Sequence, residues 1–337
     1  MKLNRLWLGL AAGSAVGYGL YRAAAYQPPL AGVPAPRPAP DYAAAVAVAE
    51  AHIARAEPGL RPECAARLLT HGATTDRSIV LLHGFTNCPL QYRLLAEQFF
   101  ARGYNVFVPR FPHHGLYNRA PKELAALTAE DLARTGTEAV DIALGLGRHV
   151  TVFGLSMGGL VTAWLAQTRS EIDRAVLVAP AISNRTIPDA ITPLLATYFR
   201  CSKNHFHWWD AERKGAGDGP EHIYYGFPTR GFSALLRLAT IVWQNAATAP
   251  PRARSVAIIL NPSDESIDDA GVRRFAQKWR RQGANIAIHD FPAGWQLIHD
   301  CIDPDQPKEQ IAHVYPHLIE WTEYPYYVAP TSFAASS

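Results

Sequence analysis

One serine of this 337-residue chain stands where a nucleophile would. Ser156 lies in Gly154-Leu155-Ser156-Met157-Gly158, entered by the strand-like run from His149 to Phe153 and left by the helix-like run from Leu160 to Ala166. A serine on a sharp strand-to-helix turn has a strained backbone, and glycines two residues to either side let neighbouring elements pass close by. The turn lifts the hydroxyl clear of the sheet. A helix beginning at Met157 has N–H groups without intrahelical partners in its first turn, so the Met157 N–H can hold an oxyanion beside the nucleophile.

The partners that would activate such a serine lie downstream. Leu260-Asn261-Pro262-Ser263-Asp264-Glu265-Ser266-Ile267-Asp268 sets carboxylates just past a strand-like run, where open α/β sheets keep their sites. We read Asp264 as the acid of a triad, with Glu265 and Asp268 as alternatives; Asp268 suits the N-cap of the following helix better. His299, in a loop after the last strand-like run, is the base. His289 has the same Ile-His-Asp context but falls inside a strand and reads as structural. The chain order Ser156, Asp264, His299 is the one expected of one particular sheet topology.

An acyl-transfer transition state needs a second oxyanion donor. The turn His83-Gly84-Phe85-Thr86 follows the first strong strand and supplies the Phe85 N–H, with Gly84 letting substrate approach the main chain and His83 supporting the turn. His113 and His114 are adjacent, but neighbours on an extended loop point apart and no acidic cluster accompanies them, so no metal is expected. No cofactor is implied either.

The elements that must position these groups alternate from Ser78 onward. Strand-like runs at Ile79–His83, Asn105–Pro109, His149–Phe153, Arg174–Ala179, Ser255–Leu260 and Asn285–Phe291 are separated by helix-like runs, which describes an α/β fold with a mostly parallel sheet covered on both faces. Between Ile182 and Pro251 no clear strand is readable and aromatic residues crowd together, so residues 182–251 form an insertion within a core of 41–181 and 252–325.

With 48% apolar residues the chain can bury one large core, and 32 basic against 29 acidic residues without long runs leave no footprint for nucleic acid. Cys64, Cys88, Cys201 and Cys301 lack zinc spacing; four cysteines allow three full pairings, and disulfides require export. Lys2 and Arg5 precede an uncharged stretch, Leu6 to Tyr21, so residues 1–25 read as a signal peptide or membrane anchor, giving an exported or membrane-anchored protein with membrane association through residues 6–21. Residues 26–40 then read as a Pro/Ala-rich tether, and residues 326–337 as a tail.

From Ser78 to Tyr324 the chain resembles the α/β-hydrolase family, in particular bacterial capped esterases and monoglyceride-lipase-like serine hydrolases. The resemblance is carried by His83-Gly84-Phe85-Thr86, Pro112-His113-His114-Gly115, Gly154-Leu155-Ser156-Met157-Gly158, Asp264 and His299-Asp300. It implies an eight-stranded sheet with a helical cap, and Ser156 excludes members with an aspartate nucleophile. The expected activity is hydrolysis of small-to-medium apolar or lipid-like esters. An acyltransferase using the same triad, or a non-catalytic hydrolase-like binding protein, is the alternative.

Overall fold

The β-branched runs pair into one sheet. The computed structural model describes Tyr21 and residues 23–215 and 219–323. Its strands are β1 (Arg67–Leu69), β2 (Thr75–Leu82), β3 (Tyr104–Val108), β4 (Gly147–Leu155), β5 (Ile172–Val178), β6 (Phe206–Trp208), β7 (Gly226–Pro228), β8 (Ser255–Leu260) and β9 (Ile286–Asp290). Seven of them lie in the order β1-β3-β2-β4-β5-β8-β9, parallel throughout except for β1 against β3, while β6 and β7 form a separate antiparallel pair. Every residue of β3, β5 and β8 is buried, so both faces of the sheet are covered and the strands carry continuous apolar runs rather than alternation.

The helices are α1 (Tyr42–Ile53), α2 (Arg93–Ala101), α3 (Ala129–Leu146), α4 (Met157–Thr168), α5 (Thr192–Cys201), α6 (Thr229–Ala246), α7 (Asp269–Arg281) and α8 (Ile311–Glu323). Local chemistry sets their starts. Thr128 and Asp131 form a reciprocal capping box at α3, and the Asp268 carboxylate accepts the Ala270 N–H at the head of α7.

The order of strands locates the site. From β2 the chain moves outward to β3, then crosses back over β2 to β4, so the connections diverge between β2 and β4. Such a switch point leaves a crevice beyond the carboxyl ends of the strands. Leu82 pairs with Gly154, Leu155 with Val178 and Leu260 with Asp290, which brings the loops after β2, β4, β8 and β9 to one edge.

Several expectations are corrected. The sheet has seven strands among the described residues, not eight. The segment leading into β1 carries Pro58 and Pro62, and Pro62 opens a 3₁₀ turn over Pro62–Cys64 where an additional edge strand would need main-chain donors. The insertion, expected without strands, contains the short β6–β7 pair, and its last helix, α6, packs on α4. Of the three full cysteine pairings none is realised: Cys64 is bonded to Cys88, and Cys201 and Cys301 are free.

The segment expected as a tether runs along the body. Buried Gln27 donates to Pro193 O (3.2 Å) and Thr197 Oγ1 (3.1 Å), and Leu30, Val33 and Ala39 pack against the core. The Arg37 N–H donates to Asp141 Oδ2 (2.7 Å) and the Ala39 N–H to Asp141 O (2.9 Å). Leu6–Leu20 and the tail 326–337 lie outside the described residues; among the described residues no helix is long and apolar enough to cross a membrane.

Asp141 Oδ1 also accepts from the buried guanidinium of Arg169 (2.7 Å), which shares Glu171 as its other acid (3.0 Å). Removing Asp141 takes one charged hydrogen-bond partner from the buried Arg169 and leaves it Glu171, so Asp141→Ala should destabilise the fold by about 2 kcal/mol in urea titrations. It should also make residues 26–40 easier to cleave in limited proteolysis, since the Arg37 N–H loses its acceptor while the Ala39 bond to Asp141 O stays.

Candidate active site

The turn at Ser156 is built by main chain meeting main chain. Ser156 has φ 55° and ψ −112°, its N–H donates to Val178 O (2.9 Å), and its carbonyl accepts from Ala181 N (3.0 Å) and Leu160 N (2.9 Å). A Cβ on Gly158 would collide with the Leu82 carbonyl, and one on Gly154 with the backbone of Gly158, so glycine is required at both positions. Holding a serine there costs about 1–3 kcal/mol and persists where the surroundings over-determine it. Tyr92 is part of those surroundings: its buried hydroxyl donates to Leu82 O (3.0 Å) and accepts from Leu155 N (3.0 Å), bracing the ends of β2 and β4.

Asp264 and His299 meet across two loops. His299 Nδ1 is 2.6 Å from Asp264 Oδ2, while Asp264 Oδ1 accepts from Ser266 N (2.7 Å) and Ile267 N (3.1 Å). Of the three carboxylates considered, Asp264 is thus the one bonded to His299; Glu265 is exposed and Asp268 caps α7. Asn261, also buried, donates to Leu297 O (3.0 Å) and Ile298 O (3.2 Å), fastening the histidine loop to the acid loop. Burial would push the Asp264 carboxyl up, but the His299 imidazole and the amides outweigh it and hold it below the usual carboxylate range. For His299 burial works downward, yet the charge and hydrogen bond of Asp264, with the charge of Asp300, hold it above the ordinary histidine value. His289 lies inside β9, stacked on Trp321.

The turn after β2 is fixed from several sides. His83 is fully buried; its Nε2 accepts the Phe111 N–H (3.2 Å) and its Nδ1 faces Gly84 O (3.0 Å), so the proton is on Nδ1. Burial first, then the neighbouring His114 and Arg110, hold it well below the ordinary histidine range, so it is neutral. The Gly84 N–H donates to Gln91 Oε1 (2.9 Å), Thr86 takes the left-handed conformation at φ 68°, and Thr86 O accepts from Tyr224 N (2.9 Å). His113 and His114 turn to different partners, Glu57 Oε1 and Pro112 O, both at 2.8 Å.

Ser156, His299, Gly84 and Phe85 line one cavity of about 280 Å³. Met157 opens α4 directly after Ser156, and Asp264, His83, Gly154 and Gly158 are buried and do not line the cavity. Two larger cavities, of about 550 and 700 Å³, contain neither Ser156 nor His299, so volume is no guide to the chemistry here. Sequence reasoning missed Asn87, Gln91, Tyr92, Asn261 and the insertion residues Trp209 and Ile223. The signal available for Asn87 and Asn261 was adjacency, since each directly follows a strand-end motif.

A family model described as "Alpha/beta hydrolase family" matches residues 79–314. The chain is 31% identical over 114 residues to a thermostable monoacylglycerol lipase of Bacillus sp. (strain H-257), covering 34% of this chain and 44% of that protein. It is 30% identical over 94 residues to a carboxylesterase of Bacillus subtilis (strain 168), covering 28% and 37%. The chain therefore spans less than half the length of these curated relatives. A solved structure of a metagenome-derived lipolytic enzyme superposes with a TM-score of 0.59 at 20% identity, over 78% of this chain and 99% of that one, a likeness of fold.

Because a protonated imidazole cannot accept the serine proton, the rate at which a fluorophosphonate labels Ser156 should rise with pH through a midpoint above 6.5. Asp264→Asn removes the anion that raises His299, so it should slow labelling and move that midpoint downward. Mass spectrometry of the labelled peptide across a pH series reads both effects.

Proposed function

We propose that this chain, which belongs to the alpha/beta hydrolase family, hydrolyses carboxylic esters at Ser156. His299 removes the Ser156 proton as Oγ attacks the ester carbonyl, and the proton is then delivered to the departing alkoxide, leaving an acyl-serine. Water, deprotonated by His299, attacks the acyl carbon; the acyl–Oγ bond then breaks, His299 returns the proton to Ser156 Oγ, and the acid leaves. Asp264 keeps the imidazole in one tautomer and stabilises its charged form without taking the proton. In both tetrahedral states the oxyanion is held by the Phe85 and Met157 N–H groups.

The observation that carries this reading is the 2.6 Å bond from His299 to a buried Asp264, on a histidine that shares its cavity with a left-handed Ser156. The names of the Bacillus relatives support esters as the substrate class. A cavity of about 280 Å³ lies just under the usual span of about 300–1,000 Å³ for ligand sites, which favours small-to-medium acyl groups. The insertion, residues 182–251, is read as the cap over it, a reading supported by Trp209 and Ile223 at the cavity wall. The Cys64–Cys88 disulfide supports an oxidising compartment, and with it residues 1–25 as a signal or anchor.

Ser156→Ala should fold as the parent and lose nearly all esterase activity, keeping only the rate that binding and oxyanion donors provide, on the order of 10³–10⁴ over water. Wild-type turnover in that protein would end the proposal. Assayed on p-nitrophenyl esters of graded length, the parent should hydrolyse acetate and butyrate faster than palmitate.

A further inference from the structure

Behind His299 lies a buried polar chain that the triad does not use. Asp303 is fully buried, and its Oδ2 accepts from Asn87 Nδ2 (3.0 Å) and faces His222 Nε2 (2.7 Å); its Oδ1 accepts from Asp305 N (3.0 Å). The Asp303 N–H in turn donates to Asp300 Oδ1 (3.2 Å), and Asn87 Nδ2 reaches Asp300 Oδ2 as well (2.9 Å). Three segments distant in sequence meet here: the turn carrying Phe85, the loop carrying His299, and, through His222, the insertion.

The ligand atoms of His222, Asp303 and Asp305 lie within 4.8 Å of one another, but Asp305 is taken by Arg93 (2.6 Å) and Asp303 by the bonds just named. A hydrogen-bonded brace accounts for the arrangement without an ion.

We infer that His222 is a positioning residue for the proposed reaction: by holding Asp303 it fixes Asn87, and with Asn87 the turn of the Phe85 N–H, relative to His299. The separation of an oxyanion donor from the base decides whether both act on one carbonyl. Gln91 ties the same two loops a second time, holding the Gly84 N–H and hydrogen-bonding Asp300. His222 differs from Gln91 and Asn87 in that it does not line the cavity, so it acts without touching substrate.

The inference rests on Ser156 hydrolysis, and its test separates the two. His222→Leu should lower kcat by about 10²-fold, the scale of a displacement on the order of 1 Å at a reacting centre, with KM changed only a few-fold. His222→Gln, whose amide can still donate to Asp303, should recover most of the loss. Wild-type kcat in the Leu protein, or equal losses in Leu and Gln, overturns the inference while an inactive Ser156→Ala leaves the hydrolase reading intact. Should the Leu chain not fold, His222→Asn, too short to reach Asp303, takes its place with the same expected loss, and wild-type kcat there overturns the inference equally.

Discussion

The closeness of helix α4 to the ends of β2 and β4 is the constraint on which the site depends. At Gly158 the helix rests on the Leu82 carbonyl with no side chain between them, and Gly154 rests on Gly158 in the same way. A single methyl at either point would push α4 outward. Ser156, held between them with φ 55°, would relax toward an ordinary conformation, and the Met157 N–H would swing with it. Tyr92, spanning Leu82 O and Leu155 N, keeps the two strand ends from separating under that load.

Charge is arranged around His299 on two sides. Asp264 has three donors, one imidazole and two amides, and so remains an anion in a buried place. On the other side Asp300 is pushed upward by burial and by the charge of Asp303, whereas Asp303 is held below the usual carboxylate range because His222 and Asn87 outweigh its burial. One committed anion therefore orients the imidazole, and the second acid pair is occupied with its own hydrogen bonds. His299 is thus hydrogen-bonded to Asp264, while Asp300 and Asp303 are engaged with Asn87, His222 and one another.

Legibility in the sequence followed the range of the interaction. The turn at Ser156 was readable because its glycines, strand and helix are contiguous, and Asp264 and His299 because both fall just past strand-like runs. The choice among Asp264, Glu265 and Asp268 was narrowed by capping chemistry, which the Asp268–Ala270 bond satisfies. Three-residue strands such as Arg67–Leu69 and Phe206–Trp208 give too short a period to register. The Asp303 chain joins residues 81 and 216 positions apart, and nothing local marks such partners. Residues 26–40 misled for the same reason: a Pro/Ala-rich composition reads as free chain, while its anchors at Asp141, Pro193 and Thr197 lie more than 100 positions away.

The stitching of the insertion to the turn after β2 bears on how a molecule gets in. A lid swinging as one body would have to break the Tyr224–Thr86 main-chain bond, the His222–Asp303 pair and the clasp of Arg119 on Ile223 O and Pro220 O together. The Trp209 indole, more than half exposed at the rim, is held to Thr86 by one long hydrogen bond of 3.4 Å and by its contact with Phe227. The exposed Trp209 ring can change rotamer on the rapid clock of side chains without breaking any of those three ties, whereas movement of the insertion as a body would have to wait on all of them.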